Sequence, residues 1–221
     1  MRKLRGIIFD VDGTLLDSMD MWQQLDRVFL RENGIEPPAD ISDIVKKMTV
    51  DASSAYFVER FHLSMTPADV RQRVEELAAE EYRLHLPLKK GAKTFLMQAA
   101  AKGIPCAVAS ANYPALLDAA FERLGIAGCF RTVLTPGEQL AGKHQPDIYV
   151  EAARQLGTDP AETAVIEDAL HAAETARAAG FYTVGFRDRS SQADWGALAA
   201  LCDRVTDSWT ALLDDGFLQC F

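Results

Sequence analysis

The stretch "IIFDVDGTLLDS", residues 7 to 18, sets two aspartates, Asp10 and Asp12, one residue apart at the end of an apolar run. Carboxylates at that spacing repel, and a metal ion is the obvious compensation. Further along, other polar groups follow apolar runs in the same way. "VASAN" gives Ser110, then Ala111 and Asn112. "VIED" gives Glu167 and Asp168, and the loop before the 146–156 helix, "GKHQPDIY", adds Lys143. Four carboxylates, one lysine and one hydroxyl suit phosphoryl chemistry. Mg²⁺ is a hard cation that prefers oxygen ligands and keeps several waters. The carboxylates can hold it against a phosphate oxygen, while Lys143 and Ser110 take other phosphate oxygens. An aspartate left free to attack phosphorus would form an aspartyl-phosphate.

This chemistry needs the groups at one edge of a scaffold, and the sequence supplies one. "GIIFDV" (6–11), "IPCAVAS" (104–110), "TVLTP" (132–136), "TAVIED" (163–168) and "FYTVGF" (181–186) read as buried strands. Helical patterns cover 91–102, 114–124, 146–156 and 169–179, with Pro at two starts and Gly just past each end. Strands alternating with helices predict an α/β fold, a doubly wound, Rossmann-like parallel sheet covered on both faces. Too few strand–helix units fit here for a β/α barrel. In an open parallel sheet, ligands bind beyond the carboxyl ends of the strands. Those are the ends that carry the polar residues above.

Residues 18 to about 87 break the rhythm. "MDMWQQLDRVFLREN", "DISDIVKKM", "DASSAYFVERF" and "TPADVRQRVEELAAEEYRLHL" are helical patterns with no strand between them. Thr66 is a good helix cap with Pro67 at the first position. The expectation is an inserted all-helical cap domain at 18–87 on a core formed by 1–17 and 88–221. Its own core would be Phe29, Leu30, Tyr56, Phe57 and Phe61. An insert on two hinges beside a strand end is placed to act as a lid. Lys46 and Lys47 read as a solvated helix face.

Composition narrows the partners. The 221 residues carry a net charge of −9 and no basic stripe, which disfavours nucleic acid. No apolar run reaches membrane-spanning length. The basic start "MRKLRGIIFD" runs straight into aspartates and reads as a first strand, not a signal peptide. Cys106, Cys129, Cys202 and Cys220 form no CxxC pair. Reduced thiols in a cytoplasmic monomer are the expectation.

Taken in order along nearly the whole chain, "DVDGTLLDS", "VASAN", "GKHQPDIY" and "VIEDALHAAETARAAG" resemble the four motifs of the haloacid dehalogenase superfamily, in the group with a helical cap after the first motif. The resemblance implies roles. Asp10 would be the nucleophile, and Asp12 would protonate the leaving alkoxide and then deprotonate the attacking water. Mg²⁺ would sit on Asp10, the Asp12 carbonyl and Asp168, with Glu167 nearby or through water. Gly13 lets the chain turn sharply. Gly13, Thr14, Ser110, Ala111, Asn112 and Lys143 would surround the phosphate ester, with Trp22 facing it from the cap. The implied activity is a phosphatase for a small phosphorylated metabolite, a sugar phosphate or related phosphomonoester.

The chain departs from the pattern at His144, where proline is usual, and at Ala169 and Ala172, where Ser and Gly are usual. None of these removes a charge. The alternative activity is a phosphomutase resembling β-phosphoglucomutase. That enzyme carries a cap histidine where Trp22 stands here, and a cap arginine in the region that here reads "KKMTVDASS". A dehalogenase would lack the second aspartate, and a non-enzymatic descendant would be expected to have lost a charged group. His62, His85 and His171 read as packing or surface residues.

Overall fold

The computed structural model describes residues 3–45, 48, 50–137 and 140–221. Lys46 and Lys47, with Thr49 of "KKMTVDASS", lie outside the described residues. The chain divides into two compact units, Met1–Asp17 with Leu86–Phe221, and Ser18–His85. Leu86 and Pro87 fall with the first unit.

The first unit is built on six parallel strands: β1 (Gly6–Phe9), β2 (Cys106–Ala109), β3 (Thr132–Leu134), β4 (Thr163–Glu167), β5 (Tyr182–Phe186) and β6 (Arg204–Thr206). Their order is β3-β2-β1-β4-β5-β6. β1 lies between two neighbours, with Ile8 opposite Ala107 on one side and Val165 on the other. All four residues of β1 and β2 and all five of β4 are buried, as an apolar strand covered on both faces must be. The sheet is filled out by α5 (Ala92–Ala101), α6 (Pro114–Leu124), α7 (Asp147–Leu156), α8 (Leu170–Ala178), α9 (Trp195–Leu201) and α10 (Trp209–Asp214). Ile8, Ala107 and Val165 pack with Ile148, Tyr149 and Ala152 of α7 and Phe181 in one buried cluster. Sequence patterning missed β6, α9 and α10. β6 is only "RVT", too short and too polar at its start to show as an apolar run.

Strand order reverses at β1, which sends the chain to β2 on one side and receives β4 on the other. Such a switch point leaves a crevice beyond the strand ends. The turn after β1 is tightly held there. Val11 O accepts from Thr14 N, Leu15 N and Leu16 N, and Gly13 sits at φ 87°. Trp209 Nε1 donates to Thr14 O at 3.0 Å, while its ring packs within 5.7 Å of Phe9 and 4.8 Å of Phe95. Helix α5 opens on Gly91 at φ 88°, where a Cβ would lie 2.9 Å from Thr210 Oγ1. Leu16 pairs with Leu88, and Asp17 N donates to Pro87 O. The outgoing and returning segments of the insert are thereby joined within this unit.

The second unit is helical: α1 (Met19–Glu32), α2 (Ile41–Val45), α3 (Val50–Phe61) and α4 (Pro67–Leu84). Thr66 caps α4 in a reciprocal box. Its hydroxyl accepts from Asp69 N, and Asp69 Oδ2 accepts from Thr66 N at 2.8 Å. Phe29, Leu30 and Phe57 are buried, with Phe29 and Phe57 ring centroids 5.6 Å apart; Tyr56 and Phe61 are half-buried at the cluster's margin. Arg73 of α4 forks onto both oxygens of Glu32 on α1. No described helix is long and apolar enough to cross a membrane.

Candidate active site

Register alone brings the first and fourth motifs together. Phe9 pairs with Ile166, and Asp10 N donates to Ile166 O at 3.0 Å, so Asp10 leaves β1 beside Glu167 at the end of β4. Asp168 follows one residue past the strand. One oxygen from each of Asp10, Glu167 and Asp168 lies within 4.8 Å of the others, and all three residues are buried. Lys143 reaches the cluster from the loop before α7. Its Nζ donates to Asp10 Oδ1 and, at 2.6 Å, to Glu167 Oε1.

Charge decides what this cluster requires. Fully ionised, three carboxylates against one ammonium would leave two negative charges in a site that water hardly reaches. Burial works against the charged form of Lys143, but the Asp10 and Glu167 carboxylates outweigh it and hold its pKa above the usual lysine range. Glu167 is pushed above the usual glutamate range by burial and then by the Asp10 charge. Asp168 is pushed well up by burial, then by Asp10 and Glu167. Asp10 Oδ2 and Glu167 Oε2 are buried with no hydrogen-bond partner. Buried anionic oxygens without donors are costly, and a divalent cation would satisfy both them and the charge imbalance. An all-oxygen donor set fits a hard cation such as Mg²⁺.

The Asp12 carboxylate is not part of that cluster. Its Oδ2 accepts from Asn112 Nδ2 at 2.9 Å. Asn112 comes from the turn beyond β2, where Ser110 N donates to Leu134 O and Asn112 N donates to Ser110 Oγ at 3.2 Å. Ser110 is buried and Ala111 exposed. Thr14 and Gly13 are buried in the turn after β1, and Thr14 Oγ1 has no partner. The structure thus brings Asp10, Asp12, Ser110, Asn112, Lys143, Glu167 and Asp168 to one end of the sheet. Trp22 is in the other unit. There its indole N–H donates to Tyr82 Oη at 3.2 Å.

Two contributors escaped the sequence reading. Tyr149, one helical stripe residue among several, donates its hydroxyl to Glu167 Oε1 at 2.8 Å. Only its place in the "PDIY" that follows Lys143 hinted at the site. His144 and His171, read separately, stack with ring centroids 4.4 Å apart. Their contact joins the Lys143 loop to the helix after Asp168.

The sheet order and the carboxylate–lysine cluster define a Rossmann-like hydrolase core with an inserted helical cap. Residues 4–180 match the haloacid dehalogenase-like hydrolases, and the chain belongs to that family. An N-acetylmuramic acid 6-phosphate phosphatase from Pseudomonas aeruginosa is 26% identical, over 96% of this chain and 94% of its own. A beta-phosphoglucomutase from Bacillus subtilis is 26% identical, over 82% and 83%. A CbbY variant from Rhodobacter sphaeroides, solved with xylulose-1,5-bisphosphate, shares the fold at a TM-score of 0.75 and 22% identity, over 95% and 96%.

Proposed function

We propose that this protein is a Mg²⁺-dependent phosphatase of a small phosphorylated metabolite, a sugar phosphate or related phosphomonoester, working through an aspartyl-phosphate. The observation that carries the reading is the division of labour between the two aspartates of the first motif. Asp10 is held by Lys143 in a buried acidic cluster, whereas the Asp12 carboxylate is held apart from it by Asn112. In this reading Asp10 is the nucleophile and Asp12 the proton carrier.

In the first half-reaction an Asp10 carboxylate oxygen attacks phosphorus. The new O–P bond forms as the ester P–O bond breaks, and Asp12 gives its proton to the departing alkoxide. In the second, Asp12 takes a proton from water, the water oxygen attacks phosphorus, and inorganic phosphate leaves with Asp10 restored. Lys143 offsets the negative charge that Asp10 and the phosphoryl group bring together, and Ser110 and the backbone beside Ala111 hold a phosphoryl oxygen. Asp10, Asp168, Glu167 and the Asp12 carbonyl would hold Mg²⁺. When bound, it supplies Lewis-acid stabilisation of phosphoryl charge and lets anion meet anion. In this reading residues 18–87 are the cap over a core of 1–17 and 88–221, and Trp22 lines the substrate side of that cap.

The Pseudomonas relative's action on a sugar phosphate supports the phosphatase reading. The Bacillus relative favours a second one, a phosphomutase. Trp22 stands against it, because a mutase needs a cap group that restrains attack by water. A panel of phosphorylated sugars, polyols and nucleoside monophosphates, assayed with Mg²⁺ for free phosphate, tests the proposal. A phosphatase releases phosphate from at least one of them. Conversion of glucose 1-phosphate isomers to another sugar phosphate, with no free phosphate, would establish the mutase instead.

A further inference from the structure

Asn112 has no charge and stands among groups that do, yet both ends of its side chain are committed. Oδ1 accepts from the backbone N–H of Tyr113 at 2.8 Å. That contact fixes which end of the amide is the acceptor, so the amino end must face the other way. There Nδ2 donates to Asp12 Oδ2 at 2.9 Å. The backbone N–H of the same residue donates to Ser110 Oγ at 3.2 Å. Tyr113 is the residue before α6, whose first turn begins with Pro114. The backbone holding Asn112 is therefore anchored to the start of a helix rather than to a free loop.

We infer that Asn112 is a positioning residue for Asp12. Its amide holds Oδ2 of the carboxyl and so fixes the plane in which the carboxyl carries and delivers its proton. The N–H that Asn112 aims at Asp12, with Oδ1 held by the Tyr113 N–H, is the contact a positioning role requires and one that a group serving only the phosphoryl ligand would not need. This inference rests on the proposed function, in which Asp12 is the acid that protonates the leaving group. Position matters because a misplaced acid loses the orientation on which proton transfer depends.

The consequence is selective. An alkyl phosphate expels a strongly basic alkoxide and needs the proton as its P–O bond breaks. An aryl phosphate such as p-nitrophenyl phosphate expels a weakly basic phenoxide and needs it little. The value of kcat/KM reports the steps up to release of the alcohol, before Asp12 is called on as a base. Asn112→Ala should therefore lower kcat/KM for an alkyl phosphate at least tenfold more than for p-nitrophenyl phosphate. Asn112→Asp keeps the shape but sets an oxygen against Asp12, and should show the same selective loss.

The experiment measures both kcat/KM values, with Mg²⁺, for the wild type and both variants, after thermal melts confirm that each variant is folded. A tenfold or greater change in the alkyl-to-aryl ratio supports the role. Equal losses on both substrates overturn it, because a general structural or phosphate-binding role would lower both alike. A wild-type protein that hydrolyses neither substrate nor any member of the metabolite panel would overturn the phosphatase reading itself, an outcome separate from equal losses.

Discussion

Tyr149 Oη and Lys143 Nζ share one acceptor, Glu167 Oε1, at 2.8 and 2.6 Å. With that oxygen occupied twice, the carboxylate is fixed in its plane, and Oε2 is left buried and without a donor. Groups that orient a metal-facing carboxylate commonly change affinity 10–100-fold when removed. Tyr149→Phe keeps the ring and deletes only the hydroxyl. It should weaken Mg²⁺ binding about tenfold by titration calorimetry without substrate. Unchanged affinity would reduce Tyr149 to a packing residue.

Asp26 of α1 carries a carboxyl that burial pushes up from the usual 3.8 to about 6. The sign is opposite to that of a salt-bridged aspartate. The folded state holds the proton more tightly than the unfolded chain, so stability falls as pH rises from about 4 to 6 and the deficit persists above. Asp26→Asn removes the buried charge. It should raise stability by about 1–2 kcal/mol at pH 8, with the gain shrinking through pH 6 and vanishing near pH 4. Urea unfolding at those pH values checks it, and a gain independent of pH would contradict the assignment.

Asp188 shows the ordinary sign. Burial disfavours its charge, but Lys89 Nζ at 2.6 Å and the Ser190 N–H and O–H outweigh that and hold its pKa below the usual value. The contribution is present above pH 3.8 and is lost as pH falls through the lowered folded value. Lys89 also donates its backbone N–H to Leu15 O, so the pair ties the segment returning from the insert to the loop after β5. Asp188→Asn should cost about 1–2 kcal/mol at pH 7. The difference from wild type should disappear as pH drops below 3.8, measured by thermal or urea unfolding.

These contacts mark where sequence reading stops. Asp10, Asp12, Ser110, Glu167 and Asp168 were legible because each is a polar residue at the end of an apolar run, and a parallel sheet gathers strand ends; Lys143 was legible only from its motif in the loop before α7. The helical insert was legible because four helical patterns follow one another with no strand among them. Tyr149 was not, since a tyrosine on the buried stripe of a helix looks the same whether or not its hydroxyl meets a carboxylate. Trp209 lies 195 residues from Thr14, whose carbonyl it binds, and nothing local announces that pairing. Asn112 was legible as a site residue, but its partner was not. The residue type suits a phosphate oxygen as well as it suits Asp12, and only the Tyr113 N–H decides which way the amide points.

The most direct measurement of the central claim is phosphate release by wild-type protein and by Asp10→Asn on the best substrate of the panel, each with Mg²⁺ and with a chelator. Asp10→Asn preserves volume but removes the attacking oxygen anion and one ligand of the acidic cluster. The account predicts hydrolysis by the wild type with Mg²⁺, and a loss of at least about 10³-fold both on chelation and in Asp10→Asn. Hydrolysis that survives chelation and the substitution would contradict it.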